Sequence, residues 1–377
     1  MIYREFKGLQ LSNLSLGCMR LPHGEKYEDI DVSQVRQMVA YAMEHGVNYY
    51  DTAWGYHDGR SETVMGEVLS DYPRDSFYLA TKFPGYDLAN FDNVSGIFEE
   101  QLRKCRVDYF DFYLFHNVCE KNIDQYLDPQ YGVYEYLMEQ KRSGRIRHLG
   151  FSCHGQPDVL RRFLEAYGSD LEFCQLQINY LDWTFQNDIE KVDMLKEYGI
   201  PVWVMEPLRG GKLADMAPDY LTQLQALRPN ETAVGWAFRF LQSIPEVKVI
   251  LSGMSDMEQL KENISIFETD EPLDQNEMKT LLDIADRMLS QKTLPCTGCR
   301  YCTEYCPQQL NIPYLIKLYN EHNFSGGGFL APMALSKLEK NQWPSACLHC
   351  RSCEAVCPQQ ISISDAMADF AEKISQG

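Results

Sequence analysis

Long apolar runs and a surplus of basic residues are both missing from this chain of 377 residues. No stretch approaches the roughly 20 consecutive apolar residues that a membrane-spanning helix needs, and residues 1–5 (MIYRE) contain no apolar leader. Lysine and arginine number 35 against 54 aspartates and glutamates, so the formal net charge is −19. Such a surface repels nucleic acid and anionic membranes. We therefore expect a globular protein that binds neither.

Eight of the 13 cysteines fall into two copies of one spacing. Each copy reads C-x2-C-x2-C-x3-C and is followed directly by proline. The eight residues are Cys296, Cys299, Cys302 and Cys306 in the first copy, and Cys347, Cys350, Cys353 and Cys357 in the second. This doubled spacing resembles the run with which bacterial ferredoxins bind cubane 4Fe–4S clusters. It therefore predicts two such clusters in the C-terminal part of the chain.

The pairing of cysteines with clusters follows from the same resemblance. In two-cluster ferredoxins the fourth cysteine of each run binds the other cluster, which implies that Cys357 completes the first cluster and Cys306 the second. Zinc and disulfides are the alternatives, but structural zinc usually takes two separated pairs of ligands and disulfides are typical of secreted chains. Reduced thiols and oxygen-sensitive clusters together predict a cytoplasmic location.

Short β-rich runs alternate with helical stretches through the first 290 residues. The predicted strands cover residues 15–19, 47–51, 77–82, 110–116, 146–152, 173–179, 201–206 and 248–252. Eight strands alternating with helices over about 250 residues are typical of a (β/α)8, or TIM, barrel. An open doubly wound sheet is the alternative, although no G-x-G-x-x-G follows the first strand. A hairpin of residues 3–6 and 9–12 is expected to cover the bottom of the barrel.

The chain is longer than one compact domain usually is, so two domains are expected. We place the α/β barrel over residues 1–288 and a second domain over residues 289–377. About 40 residues separate the two cysteine runs, and they include the helical-looking segment 313–321. The second domain is therefore predicted to be small, mostly helical and ferredoxin-like.

Polar residues end three neighbouring strands of the predicted barrel, at the rim where barrel active sites lie. They are Asp51, Lys82 and His116, and Tyr56 follows in the loop after Asp51. A buried lysine beside a carboxylate stays protonated, and its charge is expected to lower the pKa of a nearby phenol. Such a tyrosine can donate a proton to a carbonyl oxygen while the histidine offers a second hydrogen bond. A cofactor bound across the same rim would have to supply hydride.

Residues 51–62, DTAWGYHDGRSE, resemble the D-T-A-x-x-Y-x-x-G-x-S-E motif of aldo-keto reductases. The likeness extends over essentially all of residues 1–288. It implies that Tyr56 is the general acid, that Lys82 and Asp51 tune it, and that His116 orients the substrate. The implied activity is an NAD(P)H-linked interconversion of a small carbonyl and its alcohol.

The resemblance also implies which residues bind the nicotinamide cofactor. Ser152 and Gln177 would bind the carboxamide, and Met205 stands where an aromatic residue often stacks on the nicotinamide ring. The segment after the eighth strand would follow the adenosine half, through Gly253, Ser255, Gln259 and Asn263. Gly253 and Gln259 replace the lysine and arginine of NADP-preferring members, so the cationic side chains that would bind the 2′-phosphate are missing at these positions. NAD and NADP both stay open.

Two functions remain open because the cofactor expected in the barrel and the clusters expected in the second domain transfer different numbers of electrons at a time. A nicotinamide gives up two electrons together as hydride, whereas a cubane accepts one at a time, and no flavin-binding fingerprint is visible. The first reading is an iron–sulfur oxidoreductase whose barrel interconverts carbonyls and alcohols. The alternative is an electron-transfer protein whose clusters serve an external ferredoxin or flavoprotein partner, with little or no carbonyl reductase turnover in the barrel.

Overall fold

A computed structural model describes residues 1–290 and 292–376. The chain divides into two compact units, Met1–Leu282 and Asp283–Gly377. The first unit contains the predicted rim residues, and the second contains all eight cysteines of the doubled spacing. Within the described residues, no helix combines the length and the apolar character that a membrane crossing requires.

The first unit is a closed barrel of eight parallel strands, as the alternation of strands and helices predicts. Two antiparallel strands precede it as a hairpin, β1 (Tyr3–Phe6) and β2 (Leu9–Ser12). The barrel strands β3 to β10 are Leu14–Gly17, Tyr49–Asp51, Tyr78–Phe83, Phe110–Val118, Ile146–Cys153, Cys174–Gln177, Val202–Met205 and Val247–Ser252. Each strand pairs with the next along the chain, and β10 closes the barrel by pairing with β3.

Helices alternate with the barrel strands along the chain, and two more follow the last strand. In chain order they are α1 (Val32–Glu44), α2 (Ser61–Leu69), α3 (Val94–Cys105), α4 (Ile123–Leu127), α5 (Val133–Arg142), α6 (Pro157–Tyr167), α7 (Asp182–Phe185), α8 (Asp188–Glu197), α9 (Pro218–Gln225), α10 (Ala233–Gln242), α11 (Met257–Ile266) and α12 (Gln275–Ser290). Local signals place several of these ends. The Asp31 side chain accepts the Gln34 N–H at 2.9 Å and so caps α1, and Pro157 occupies the first turn of α6.

The barrel interior is a packed apolar core that is closed at one end by the hairpin. Phe6 of β1 belongs to the same buried cluster as Tyr49, Phe112 and Trp203. Its ring lies edge-on to Trp203, with 5.0 Å between the ring centroids. The hairpin therefore fills the N-terminal end of the barrel and leaves the C-terminal rim for a ligand.

The same core explains why the rim residues point inward. Tyr49, Ala80, Leu114, Trp203 and Leu251 are all members of the buried interior cluster. Side chains of a strand alternate between its two faces, so residues two positions further on share the interior face. Those residues are Asp51, Lys82, His116, Met205 and Gly253. Strand periodicity thus directs five predicted site residues toward the centre of one rim.

The second unit is helical, and no strand occurs among its described residues, 283–290 and 292–376. Beyond the end of α12, its helices are α13 (Tyr301–Glu304), α14 (Ile312–Ser325), α15 (Leu330–Leu335) and α16 (Ile363–Gln376). A small apolar core that includes Leu315, Ile316, Met367 and Phe370 packs α14 against α16. Each of these two helices follows one of the cysteine runs, so the repeat in sequence is also a repeat in structure.

Candidate functional site

An ion pair lies at the centre of the barrel rim. Lys82 Nζ is 2.5 Å from Asp51 Oδ1 and donates a second hydrogen bond to the Thr52 carbonyl oxygen at 2.9 Å. The Lys82 and Asp51 side chains are 0% and 3% exposed, respectively. Because two buried charges are costly unless they are paired and hydrogen-bonded, each residue requires the other.

The two remaining predicted catalytic residues lie beside this pair. Lys82 Nζ stands 5.0 Å from the centroid of the Tyr56 ring. The rings of Tyr56 and His116 meet edge to face, with 6.1 Å between centroids and 82° between planes. The structure therefore brings together all four residues that the sequence predicted for the rim.

The pKa of Tyr56 shifts in the direction opposite to the one expected. The charge of Lys82 was expected to lower it, but burial raises the pKa of this phenol well above its ordinary value. The Asp51 carboxylate adds to the rise, since a nearby negative charge disfavours a phenolate. Tyr56 therefore keeps its proton at physiological pH, as a proton donor must.

His116 is held in its neutral form. Burial lowers the pKa of this imidazole well below its ordinary value, and the positive charge of Lys82 lowers it further. The His116 Nδ1 is buried and has no hydrogen-bond partner within the described residues. The Asp51 Oδ2 is likewise buried without a partner there. Buried polar atoms rarely stay unpaired, so the rim fits a polar ligand that supplies the missing partners.

A buried polar network supports Lys82 from outside the barrel. Glu62 accepts hydrogen bonds from Thr81 Oγ1 and Gln101 Nε2, both at 2.7 Å. Gln101 also donates to the Lys82 carbonyl oxygen at 3.0 Å and accepts from the Tyr113 hydroxyl at 2.6 Å. Glu62 belongs to the motif that the sequence displays. Gln101 has no such signal, because a helical glutamine becomes informative only once α3 packs behind β5.

The residues predicted to bind the nicotinamide, Ser152 and Gln177 at the carboxamide and Met205 at the ring, lie on three successive strands. Ser152 is buried at the end of β7, and its Oγ accepts the backbone N–H of Asn117 at 2.7 Å. Gln177 ends β8 and donates from Nε2 to Asp182 Oδ2 at 2.9 Å. Met205 ends β9 and is partly exposed. All three stand on the rim that holds Tyr56.

The predicted adenosine-side residues follow β10. An added Cβ at Gly253 would lie 3.1 Å from the Arg20 side chain, so a larger residue here would make Arg20 shift slightly. The Ser255 N–H donates to Gln259 Oε1 at 2.9 Å. Asn263 is buried, and its Nδ2 donates to Ser252 Oγ at 3.1 Å. Ser255 and Gln259 thus belong to the N-terminal turn of α11, whereas the Asn263 amide bonds the end of β10.

Several residues of the same rim have left-handed backbone conformations. Non-glycine residues with positive φ lie in the loops after β4 and β9 and near the end of β6. They are His57 (52°), Asp58 (51°), Asn117 (58°), Glu206 (54°) and Arg209 (48°). Such conformations cost about 1–3 kcal/mol each and persist at sites where surrounding contacts impose them.

The cysteines of the second unit converge on two pockets. The first cysteine pocket is lined by Cys296, Cys299, Cys302 and Cys357. The second is lined by Cys306, Cys347, Cys350 and Cys353. Each pocket therefore combines three cysteines of one run with the fourth cysteine of the other.

The donor set and the backbone of these pockets fit a four-iron cluster. Within the described residues, no three His, Cys, Asp or Glu side chains are grouped as ligands of a single metal ion. A cubane cluster does not need three ligands around one metal ion, because each thiolate binds a different iron atom. Left-handed residues recur at matching places, with Arg300 at φ 67° and Arg351 at 58°, and such turns form anion-binding concavities at iron–sulfur sites.

Comparison with known families agrees with the rim and with the cysteine pockets. Residues 13–286 match the aldo/keto reductase family. The chain belongs to that family. Residues 295–361 match a 4Fe-4S dicluster domain, so in this aldo/keto reductase an iron–sulfur domain follows the barrel along the chain.

The individual relatives are distant in sequence, but the match to this chain extends over most of the length of each. The chain is similar to the uncharacterized oxidoreductase YqkF of Bacillus subtilis, with 26% identity over 287 residues, covering 68% of this chain and 87% of that protein. It is similar to the NADH-specific methylglyoxal reductase of Escherichia coli, with 27% identity over 301 residues, covering 68% and 90%. The structure resembles the holo form of aldo-keto reductase AKR11C1 from Bacillus halodurans, with a TM-score of 0.63, 25% identity and coverage of 75% and 96%.

Sequence reasoning missed part of the rim of this aldo/keto reductase. Asp182 and Arg209 form a buried ion pair beside Gln177, although neither belongs to a motif that we recognised. Their only signal in sequence is a charged residue within an otherwise apolar segment, which is a weak one. His154, which directly follows β7, is another ionisable residue of the rim without a signal in sequence, and burial lowers its pKa to about 4.

Proposed function

We propose that the barrel interconverts small carbonyl compounds and alcohols with NAD(P)H, using Tyr56 as the general acid. The observation that carries this proposal is the buried Asp51–Lys82 pair, which lies under the Tyr56 ring and beside His116. A buried ion pair often contributes little to stability. The position of the Asp51–Lys82 pair next to Tyr56 and His116, two side chains that can donate protons, therefore favours a chemical role.

The residues act on one oxygen atom in this proposal. Tyr56 is protonated because burial raises its pKa, and it donates that proton to the carbonyl oxygen as negative charge develops there. The positive charge of Lys82 stabilises the phenolate that Tyr56 becomes. Neutral His116 donates a second hydrogen bond to the same oxygen. NAD(P)H, when bound, would supply the hydride, and hydride and proton together would give the alcohol.

We also propose the residues that hold the cofactor. Ser152 and Gln177 bind the carboxamide, Met205 packs against the ring, and the turn from Gly253 to Gln259 follows the adenosine half. Asp256 caps α11 in this turn, and a carboxylate there repels a 2′-phosphate. Together with the lack of a cation at Gly253 and Gln259, this favours NADH, which the E. coli relative's name also specifies.

The proposed cluster ligands are the four cysteines of each pocket. The clusters, when bound, accept and release electrons singly. A second candidate function is electron exchange with an external ferredoxin or flavoprotein. One observation favours it: Cys299 and Cys350, one in each pocket, are exposed to solvent, which leaves both sites open to a partner.

Replacing Tyr56 with Phe tests the general acid. We expect carbonyl reduction to fall by at least about 100-fold, the scale of general acid catalysis, while NADH affinity changes less than about twofold, because the phenol donates to substrate and not to cofactor. The control is Tyr49→Phe, which alters a fully buried tyrosine on β4, the strand that precedes Tyr56. Full activity in Tyr56→Phe would refute the assignment.

An anaerobic titration of the cluster-loaded protein with NADH, and then with NADPH, separates the two candidate functions. Iron–sulfur absorption and nicotinamide oxidation are followed together, with and without a carbonyl substrate such as methylglyoxal. Turnover of methylglyoxal without bleaching of the clusters supports the reductase. Bleaching without turnover supports electron transfer to a partner.

A further inference from the structure

The two cysteine runs differ at the position that follows their third cysteine. In the first run Thr303 follows Cys302, and in the second run Glu354 follows Cys353. Cys302 and Cys353 are both buried, and they line the first and the second cysteine pocket, respectively. A hydroxyl group and a carboxylate therefore occupy equivalent places next to the two pockets.

The Thr303 hydroxyl is a buried donor. Its Oγ1 is removed from water and has no aligned hydrogen-bond partner among the residues that the structure describes. Buried hydroxyl groups seldom stay unpaired, and a hydroxyl can rotate its O–H to suit an acceptor. Burial raises the pKa of the adjacent Cys302, and the Thr303 hydroxyl acts in the opposite direction as a donor to that sulfur. Thr303 therefore favours negative charge at the first cysteine pocket.

Glu354 has the reverse effect at the second cysteine pocket. Its Oε1 accepts the backbone N–H of Ser364 at 2.8 Å, which fixes the carboxylate next to Cys353. Burial raises the pKa of Cys353 to about 11, and the Glu354 carboxylate contributes to the rise, since one negative charge disfavours another nearby. A carboxylate also has no hydrogen to donate to a sulfur. The second pocket is therefore the less favourable place for added negative charge.

The other charged groups beside the pockets do not reverse this difference. Arg300 lines the first pocket and Arg351 lines the second, so each pocket has one arginine. Arg351 also pairs with Asp365 at 3.1 Å, which offsets part of its charge. Glu304 is an additional acid of the first run, but it is exposed, and water screens an exposed charge.

We propose that Thr303 and Glu354 give the two clusters different reduction potentials, so that the first cluster is reduced before the second. Reduction adds one electron, and thus one negative charge, and hydrogen bonds to the sulfurs help to set the potential. A one-electron donor, such as an external ferredoxin, would lose one electron, and that electron would come to rest on the first cluster. This inference rests on the proposed cluster ligands.

A potentiometric titration without oxygen tests the Thr303 hydroxyl. The cluster-loaded full chain is followed by electron paramagnetic resonance. Thr303→Val removes the hydroxyl but keeps the shape of the side chain. For the cluster that is reduced first, we expect the ratio of reduced to oxidised form at a fixed potential to fall about tenfold, a shift of about 59 mV for one electron. Thr303→Ser restores the hydroxyl and should keep the wild-type potential.

Glu354→Gln tests the second cluster. Glutamine keeps an acceptor for the Ser364 N–H but removes the charge, so we expect the same ratio to rise about tenfold for the cluster that is reduced last. The double variant with Thr303→Val should bring the two potentials closer together. Unequal potentials in the wild type do not suffice as a test, because a reduced cluster repels a second electron. The decisive observation is which potential each variant moves.

Ser352→Ala is the matched control. The backbone and the hydroxyl of Ser352 lower the pKa of Cys350 as hydrogen-bond donors, but both residues are exposed. Water can therefore replace this hydroxyl, and we expect either ratio to change less than about twofold.

Two results would overturn the proposal. They are a Thr303→Val protein with both potentials unchanged, and one in which only the potential of the cluster reduced last is shifted. If Thr303→Val does not load both clusters, Thr303→Ala replaces it. A wild type that binds clearly fewer than about eight iron atoms per chain would instead refute the proposed cluster ligands.

Discussion

At the scale of single residues, burial decides the chemistry of the rim. Tyr56 and His116 differ in ordinary acidity, yet burial is the largest cause of both shifts, and it favours the neutral form of each side chain. Asp51 and Lys82 form the ion pair at the centre of the rim, where each supplies the other's partner. The rim therefore offers two neutral hydrogen-bond donors around a fixed ion pair.

These pKa shifts predict the pH dependence of carbonyl reduction. Tyr56 must carry its proton, and a raised pKa keeps the proton on up to a higher pH. His116 has a lowered pKa, so it stays neutral down to a lower pH. We expect kcat/KM to be flat from about pH 6 to about pH 9. Steady-state rates with methylglyoxal and NADH would measure this, and an ionisation near pH 6.5 that disappears in His116→Gln would contradict it.

The identities of these residues could be predicted from sequence, but their ionisation could not. The spacing of Asp51 and Tyr56 and the strand ends at Lys82 and His116 are local features of the chain. The direction of the Tyr56 shift depends on how completely the surrounding loops exclude water. That exclusion exists only after the barrel has closed, which is why the expected lowering of its pKa was wrong.

At the scale of elements, two helices support the strand that carries Lys82. Glu62 of α2 and Gln101 of α3 share a hydrogen bond, and together they bond Thr81 and the Lys82 carbonyl oxygen. The two helices approach closely at Gly66, where an added Cβ would lie 2.3 Å from the Lys104 carbonyl oxygen. The position of Lys82 is therefore set by helix packing as well as by the sheet.

Removal of the Glu62 carboxylate should be costly. We expect Glu62→Ala to lower the free energy of unfolding by about 2–4 kcal/mol, because Thr81 and Gln101 would be left as unsatisfied buried donors. Glu67→Ala on the same helix removes a partly exposed partner of Arg36 and should cost at most about 1 kcal/mol. Urea unfolding followed by circular dichroism compares them, and equal losses would contradict the support role.

The strands themselves could be located from apolar runs, while their ends could not. Residues 47–51 were predicted as a strand that is Tyr49–Asp51 in the structure, and residues 173–179 as one that is Cys174–Gln177. An apolar run marks where a chain can be buried. Where pairing stops depends on the neighbouring strands, which the run itself does not contain.

At the scale of the whole molecule, the doubled cysteine run builds two similar pockets that each require both copies. Cys357 lies in the first cysteine pocket and Cys306 in the second. Neither run can complete a four-thiolate site alone. Loss of one cysteine should therefore affect one specific cluster, which need not be the cluster of its own run.

Cysteine variants can test this crossing. We expect Cys299→Ala and Cys350→Ala each to reduce the iron content from about eight to about four atoms per chain. Cys357→Ala should leave the same remaining cluster as Cys299→Ala, with the same electron paramagnetic resonance spectrum after reduction. A spectrum that matches Cys350→Ala instead would contradict the crossing. Cys105→Ala, which alters a buried barrel cysteine, serves as the control with unchanged iron.

The sequence by itself determined the barrel, the cysteine repeat and the four rim residues, because each depends on periodicity or spacing along the chain. Only the tertiary structure decided the neutral states of Tyr56 and His116, the support of Lys82 by Gln101, and the contact of Asp182 with Gln177 and Arg209. These features depend on burial and on contacts between distant segments. Both arise only when the closed barrel excludes water and brings β8, β9 and their loops together.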